Sequence, residues 1–426
     1  MNKKVLYNSL WMMLEKVISI FGLIFVTSFV AKYVGPTIFG EIAYATSLFQ
    51  IIQVLAQLGS DVLIFKRVSR NERSGIKLIN ATVMLRGLVY IIASIPVLWY
   101  FYEKYDLTSF AYVFSVFLSC LFFSLDVFAI YNDAKLESKK NTMVNMSGLT
   151  ISLIIRWFIP FLKLNPLFLC IPIVLTSLIP FCVRLIAYRK NFAIKPKFQR
   201  HKRKYVNYVL VCGASLVIST LSVAIYPRLG MLILGSMESS KAVGIFSVAA
   251  TLAGSWAFVC NSLITSSLPS IFREKEETDT IIKTAGLNLV IIFVSLLVIL
   301  GFYLLGQMIL KLLYGDQFSL SYIPLLILCF STFISLLGTI SARIIVKYSG
   351  YTFLSKKMIC VTILSVALNF IFINMYGIVG AAIATLLTEV VSLTVLNYFF
   401  KRGIIFRLHL ATLSFWPIFK KLRSKA

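Results

Sequence analysis

The chain has 426 residues, 59% of them hydrophobic and only 14% charged, with a mean hydropathy of +0.89. Soluble domains carry about 45–50% apolar and about 25% charged residues, so this balance excludes a soluble globular protein and indicates an integral membrane protein. A formal net charge of +26 raises nucleic acid as a partner, but the basic residues lie mostly between long apolar runs, where membrane topology accounts for them.

The N-terminus, "MNKKVLYNSLWMMLEKVISIFGLIFVTSFVA", opens with two lysines and a long apolar run without a small-residue cleavage site. It reads as a retained first span rather than a removed signal peptide. Hydropathy over a window of about 19 residues predicts twelve transmembrane helices: 10–31, 42–65, 79–102, 109–132, 144–162, 167–187, 206–235, 244–268, 284–306, 322–346, 358–376 and 379–400. The last two are nearly continuous, so eleven is the alternative count. The first span carries Glu15 and Lys16. The second contains "QIIQVLAQLGSD", where Gln50, Gln53, Gln57 and Asp61 fall within about 80° of arc on a continuous helix. Arg86, Asp126 and Arg156 lie in the third, fourth and fifth spans, and Arg184 near the end of the sixth. Arg228 lies deep in the seventh, after Pro227, whose missing N–H frees a backbone carbonyl. Asn261 is on the eighth, Arg343 near the end of the tenth, and Glu389 on the twelfth. The seven cysteines all sit in apolar segments with no CxxC, and the two histidines, His201 and His409, are far apart in basic stretches. No metal, cofactor or disulfide framework is expected.

Lysine and arginine bias sets the orientation. With the N-terminus inside, 31 of the 42 basic residues fall in the segments then assigned to the cytoplasm and 5 in the opposite loops. Both termini are therefore expected in the cytoplasm. The most basic loop, 188–205, separates an N-terminal six-helix bundle (1–187) from a C-terminal one (206–400), with a basic tail at 401–426. A weak repeat accompanies this division: Gly40, Ala45 and Leu48 match Gly244, Ala249 and Leu252 at an offset of 204 residues. Two parallel halves would put a substrate path between them. The tail, with Phe406, Leu408, Leu413, Phe415 and Trp416, is either an interfacial helix or a poorly ordered segment.

A charged side chain at mid-bilayer costs about 2.5–3.5 kcal/mol on insertion scales. Arg184 and Arg343 lie within a turn of the cytoplasmic ends and are expected to snorkel. Lys16, Arg86, Arg156 and Arg228 are deeper. Ion pairing within the bundle is one reading for them, with Asp61 or Asp126 as partners; a hydrated cationic cavity is the other. Basic residues within the spans outnumber acidic ones, which favours the cavity for Lys16 and Arg228. A cationic cavity implies an anionic ligand, because guanidinium groups bind phosphate oxygens in a bidentate way. No GxxxxGK[ST] loop is present, which excludes an ATP-driven pump in this chain.

Three stretches carry a family resemblance. "KYVGPTIFGEIAYATSLFQIIQVLAQLGSD", with the Gly35-Pro36 turn, "RLGMLILGSMESSKAVGIFSVAATLA" and "YGIVGAAIATLLTEVV" occur in the order seen in Wzx-type polysaccharide repeat-unit flippases, within the group that includes multidrug exporters and the lipid II flippase. The chain resembles that family along nearly its whole length. The resemblance implies an all-α membrane protein of two six-helix bundles around a central cavity lined by spans one, two, seven and eight. It also implies passage of an undecaprenyl-diphosphate-linked oligosaccharide, an O-antigen or capsular repeat unit, across the cytoplasmic membrane. Lys16, Asp61 and Arg228 fall on spans one, two and seven. One departure matters: Pro227 stands where family members often carry an acid, so ion coupling at that position does not carry over.

The expected mechanism is alternating access without covalent chemistry. Lys16, Arg86, Arg156 and Arg228 are the candidate cationic ligands for the diphosphate. Gln50, Gln53, Gln57 and Asn261 are candidates for sugar hydroxyls, and Asp61, Asp126 and Glu389 for ion coupling. The expected partners are the lipid-linked sugar, the bilayer, and the polymerase and chain-length proteins of the same pathway, with no nucleic acid. Two alternatives stand beside this reading. A drug or metabolite exporter would keep the fold, but the excess of positive charge repels cationic cargo. A membrane polymerase or glycosyltransferase needs a large outer loop with clustered carboxylates or arginines, and the outer acids Glu103, Asp106, Glu238 and Asp316 are dispersed.

Overall fold

The computed structural model describes the backbone of residues 3–191 and 202–414, and the side chains there except at 3–21, 23, 191, 202, 214–216, 218–220, 222, 223 and 402. Every regular element among the described residues is helical. The chain forms two compact units, Met1–Arg228 and Leu229–Ala426. The first contains α1 (Lys3–Gln57), α2 (Ser60–Arg70), α3 (Glu72–Lys104), α4 (Leu107–Leu125), α5 (Phe128–Ala134), α6 (Ser138–Phe161), α7 (Cys170–Asn191) and α8 (Lys202–Ile225). The second contains α9 (Leu229–Met237), α10 (Ser240–Ser255), α11 (Ala257–Phe272), α12 (Glu277–Tyr314), α13 (Tyr322–Lys347), α14 (Tyr351–Leu393), α15 (Val395–Tyr398) and α16 (Ile404–Ser414). Part of the basic 188–205 segment, residues 192–201, lies outside the described residues. The helix that follows it, α8, packs on α1 and α3 in the first unit.

The two longest helices are hairpins. In α1 one residue leaves helical geometry, Gly35 at φ 80° and ψ 170°, and Pro36 follows it. Glycine takes this backbone without a Cβ penalty, and proline suits the first position of the next helix. Before Gly35 the helix runs parallel to α6: the rings of Phe29 and Trp157 lie 6.5 Å apart, and Tyr33 Oη donates to the Leu164 carbonyl at 2.8 Å. After it the helix runs parallel to α4, with Glu41 against Ser109 and Phe49 against Phe117. In turn α4 is parallel to α7, through Ser119 with Ser177 and Phe122 with Phe181. Finally α7 is antiparallel to α6, through Ser152 with Pro172 and Asn141 with Arg184. The limbs of α1 are therefore antiparallel, two spans joined through one residue.

The second hairpin is α14, which turns at Gly377 (φ 53°, ψ −125°). Next to the turn Gly380 abuts the Phe372 carbonyl, and at the other end Phe353, near the start of the first limb, packs on Phe400, just beyond the second limb and α15, with ring centroids 5.1 Å apart. A Cβ at Gly377 would meet only Glu238 Oε1, at 3.5 Å, so the constraint there is backbone conformation and not space. Gly377→Ala is expected to lower stability by about 1–3 kcal/mol, the cost of holding a non-glycine residue in such a region. Thermal unfolding of the purified protein in detergent measures it.

Nine helices among the described residues are long and apolar enough to cross a membrane. Two of these are the hairpins, each supplying two antiparallel limbs. The nine do not include α8, several of whose side chains are outside the described residues. The architecture is an all-α membrane fold compatible with twelve spans.

Two expectations about span ends are corrected. The second span does not run as one helix from 42 to 65: α1 ends at Gln57, Leu58 and Gly59 take φ of 51° and 59°, and α2 starts at Ser60. A glycine in left-handed geometry followed by Ser-Asp is a helix stop and a helix start. The loop expected at 347–357 is also shorter. The helix α14 begins at Tyr351 and buries Lys357 to 8% exposure, its Nζ donating to Asn397 Oδ1 at 2.8 Å. Hydropathy averages cannot show that a lysine has an amide partner 40 residues away.

In the tail, α16 packs along α12. Ile404, Ile405 and Leu408 join the apolar core of the second unit, Asn288 Nδ2 donates to Thr412 Oγ1 at 3.1 Å, and Arg407 pairs with Glu277 at 2.6 Å. Phe415 and Trp416 lie outside the described residues.

Candidate functional site

The end of α8 builds the site. Pro227 has no N–H to donate, the helix stops at Ile225, and residues Tyr226–Arg228 form a tighter turn before α9. Carbonyls in the last turn of a helix have no backbone donor. Arg228 supplies one: its Nη1 donates to the Ala224 carbonyl at 2.6 Å. Its Nε and Nη2 converge on Gln50 Oε1 at 3.0 and 2.8 Å. The guanidinium is thus fixed by two neutral oxygens from two helices. Among the described residues no carboxylate lies within ion-pair distance of it, so its charge stays available to a ligand. Gln53 and Gln57, three and seven residues beyond Gln50, are half-buried on the same limb of α1.

Asp61 lies beyond the Leu58–Gly59 break and pairs with Arg86. Arg86 is 1% exposed, and its Nε and Nη2 also donate to Ser60 Oγ at 3.0 and 2.6 Å. Asp61 is 45% exposed on its side chain, so the pair has a buried cation and an accessible carboxylate. Of the two sequence readings for Arg86, the ion pair is the one present.

Arg184 does not snorkel, contrary to its expected role. It is 5% exposed, pairs with Asp126, and also bonds Asn141 and Asn145. Hydropathy gives the depth of a residue along a span but not its helix face. Arg184 faces α4 and α6 inside the bundle, where a carboxylate and two amides meet its fork. Arg343 is exposed.

Arg156 has no such set of partners and makes one long hydrogen bond, Nη2 to Thr176 Oγ1 at 3.5 Å. Lys16 lies on the first limb of α1, with its side chain outside the described residues. Asn261 is exposed and its Nδ2 returns to the Ala257 carbonyl of its own helix at 3.0 Å. Glu389 lies within electrostatic reach of Lys357. Sequence reasoning missed one buried acid, Glu41, held by Ser109 on the second limb of α1. The hydropathy window opened that span at 42, one residue too late. The Gly35-Pro36 turn places Glu41 within the first turns of that limb, and this was the available signal.

Residues 5–275 match the family described as "Polysaccharide biosynthesis protein". The capsular polysaccharide biosynthesis protein CapF of Staphylococcus aureus is 22% identical over 216 residues, covering 50% of this chain. The match spans 54%, about half, of that relative's length. Among solved structures, the lipid II flippase MurJ in an inward closed conformation superposes with a TM-score of 0.66 at 13% identity, over 96% of this chain and 91% of that one. An inward-facing multidrug resistance transporter of the MATE family, MOP superfamily, gives 0.58 at 14% identity, over 96% of each chain. At these identities the structural likeness establishes a shared fold.

Proposed function

The chain belongs to the polysaccharide biosynthesis protein family, and from that premise we propose that it carries a lipid-linked oligosaccharide across a membrane. The cargo is an undecaprenyl-diphosphate-linked repeat unit of an O-antigen or capsule, moved from the cytoplasmic to the outer leaflet by alternating access. The observation that carries this reading is Arg228, a guanidinium oriented by Gln50 and Ala224 with no carboxylate against it among the described residues. Such a group is prepared for a diphosphate, which offers paired oxygens to its fork. Gln53 and Gln57 extend the polar stripe along the same helix and suit sugar hydroxyls. Lys16 adds positive charge on the first limb of α1, and Asp61 is an accessible acid for ion exchange. The basic ends of the helices face the cytoplasm.

A strain lacking the gene is expected to accumulate single lipid-linked repeat units on the inner leaflet and to display no polymer, with the wild-type chain reversing both defects. Unpolymerised units on the outer surface would instead identify a polymerase and overturn the reading.

A further inference from the structure

The tail begins with α16, and the contacts of this helix set its depth. They advance along α12 from one end: Arg407 pairs with Glu277, and further on Thr412 meets Asn288. The two helices therefore run side by side in the same direction, and α12 is among the helices long and apolar enough to cross a membrane. Both start at the basic end of the second unit. There Lys347 Nζ donates to the Ile271 and Glu274 carbonyls, just before α12, and Lys401 Nζ donates to the Tyr348 carbonyl. Asn288 lies inside the span that hydropathy opens at residue 284. The Thr412 end of α16 is thus at hydrocarbon depth.

The outward face of α16 suits that depth. Ile404, Ile405, Leu408 and Thr412 are buried against the unit. Phe406, Arg407, Leu410, Leu413 and Ser414 are exposed and share the opposite face. Its three apolar side chains, Phe406, Leu410 and Leu413, are 46%, 49% and 73% exposed. Its two polar side chains are satisfied within the protein, Arg407 by Glu277 and Ser414 by donating its hydroxyl to the Ala411 carbonyl at 3.4 Å. Next to this face α12 exposes Val290 and Phe293. The helix α2, also of 11 residues, differs: beside Val62 and Phe65 it exposes Lys66, Arg67, Ser69 and Arg70. A helix face in water is polar, whereas one whose few polar groups are already paired fits hydrocarbon.

We propose that α16 is a half-span: it enters the leaflet at the basic end of the second unit, beside α12, with its Phe406–Leu410–Leu413 face on lipid acyl chains. It does not cross the bilayer. A crossing helix needs about 20 residues, and α16 has 11. Lys420, Lys421, Arg423 and Lys425 follow soon after it, and such charges are costly in hydrocarbon. They favour the headgroups of the leaflet from which α16 enters. Tyr398 joins the helix to the chain leaving α14, through a 3.0 Å hydrogen bond between its Oη and His409 Nδ1 and a ring contact with Phe406 at 5.1 Å. The half-span thereby fastens the exit of that hairpin to one leaflet. This placement rests on the membrane fold and not on the identity of the cargo.

The test puts the photoreactive residue p-benzoylphenylalanine in place of Leu413, and separately of Leu410, in the full-length chain in cell membranes. Exposed Lys140, in the loop ahead of α6, serves as the control position. Irradiation is expected to join a phospholipid to positions 413 and 410, read as the mass of one lipid added to the purified protein, with little or none at position 140. A cross-link to a second polypeptide at 413 would show that protein covers this face and would overturn the proposal. A lipid yield at 413 no higher than at 140 would overturn it as well. Should the Leu413 variant fail to accumulate, the Leu410 variant decides by the same two criteria.

Discussion

Arg228→Ala is expected to abolish surface polymer while the protein reaches the membrane in normal amount. The arginine is half-buried and holds no ion pair among the described residues, so its removal strands no carboxylate. It frees Gln50 Oε1 and the Ala224 carbonyl, two neutral acceptors at a kinked helix end that water can satisfy. The loss falls on the ligand instead. Two charge-assisted hydrogen bonds to a phosphate contribute about 1.5–3 kcal/mol each, and every 1.4 kcal/mol is about tenfold in affinity. Transport should fall by two or more orders of magnitude. Arg228→Lys restores charge without the planar fork and is expected to recover part of the activity. Gln50→Leu leaves the charge but frees its orientation, and is expected to fall between wild type and alanine. Polymer on the cell surface, normalised to membrane protein level, reports all three. Normal polymer in Arg228→Ala would remove this residue from the site.

The second large effect concerns the fold. Arg184→Met leaves Asp126, 10% exposed, without its partner inside the first unit. Breaking a buried pair from one side costs about 3–5 kcal/mol because the remaining charge is uncompensated. The Asn141 and Asn145 contacts to the guanidinium go with it. Arg184→Met should therefore be poorly recovered from membranes, with a much lower thermal midpoint. The double variant Asp126→Asn with Arg184→Met removes both charges and is expected to regain most of the loss. If the double variant is no better than the single one, the hydrogen bonds to the two asparagines and not the charge pair hold these helices together.

Much of this protein is legible in its sequence, because a bilayer leaves few options for an apolar segment. Span positions follow from hydropathy, and Gly35-Pro36 and Gly377 announce the two reversals through the only residue types that suit them. What hydropathy omits is azimuth. Arg184 and Arg156 look alike as arginines within apolar runs, yet one meets Asp126 from 58 residues away and the other meets no acid among the described residues. The glutamine stripe shows a related failure. Its periodicity assumed helix through Leu58 and Gly59, so Asp61 was placed in line with Gln50 when it belongs to the next helix and to Arg86. Gln50 and Arg228 were both candidates, but their pairing across 178 residues is a product of tertiary packing. The break at Pro227 was visible; the rotamer that returns the guanidinium to Ala224 was not.

The hairpin at Gly377 also sets a mechanical rule for the second unit. Two rods joined through one residue behave as tongs: they cannot part at the pivot, so any splaying opens the far end. That end is latched by the tilted ring contact of Phe353 with Phe400 and by the Lys357 ammonium on the Asn397 amide. The ammonium's hydrogen-bond partner is a neutral amide, with the Glu389 carboxylate within electrostatic reach, so opening this end breaks one hydrogen bond and weakens one attraction between charges. A deformation of this unit therefore has its lowest-cost route at the lysine end of α14, with the glycine end as its fixed point.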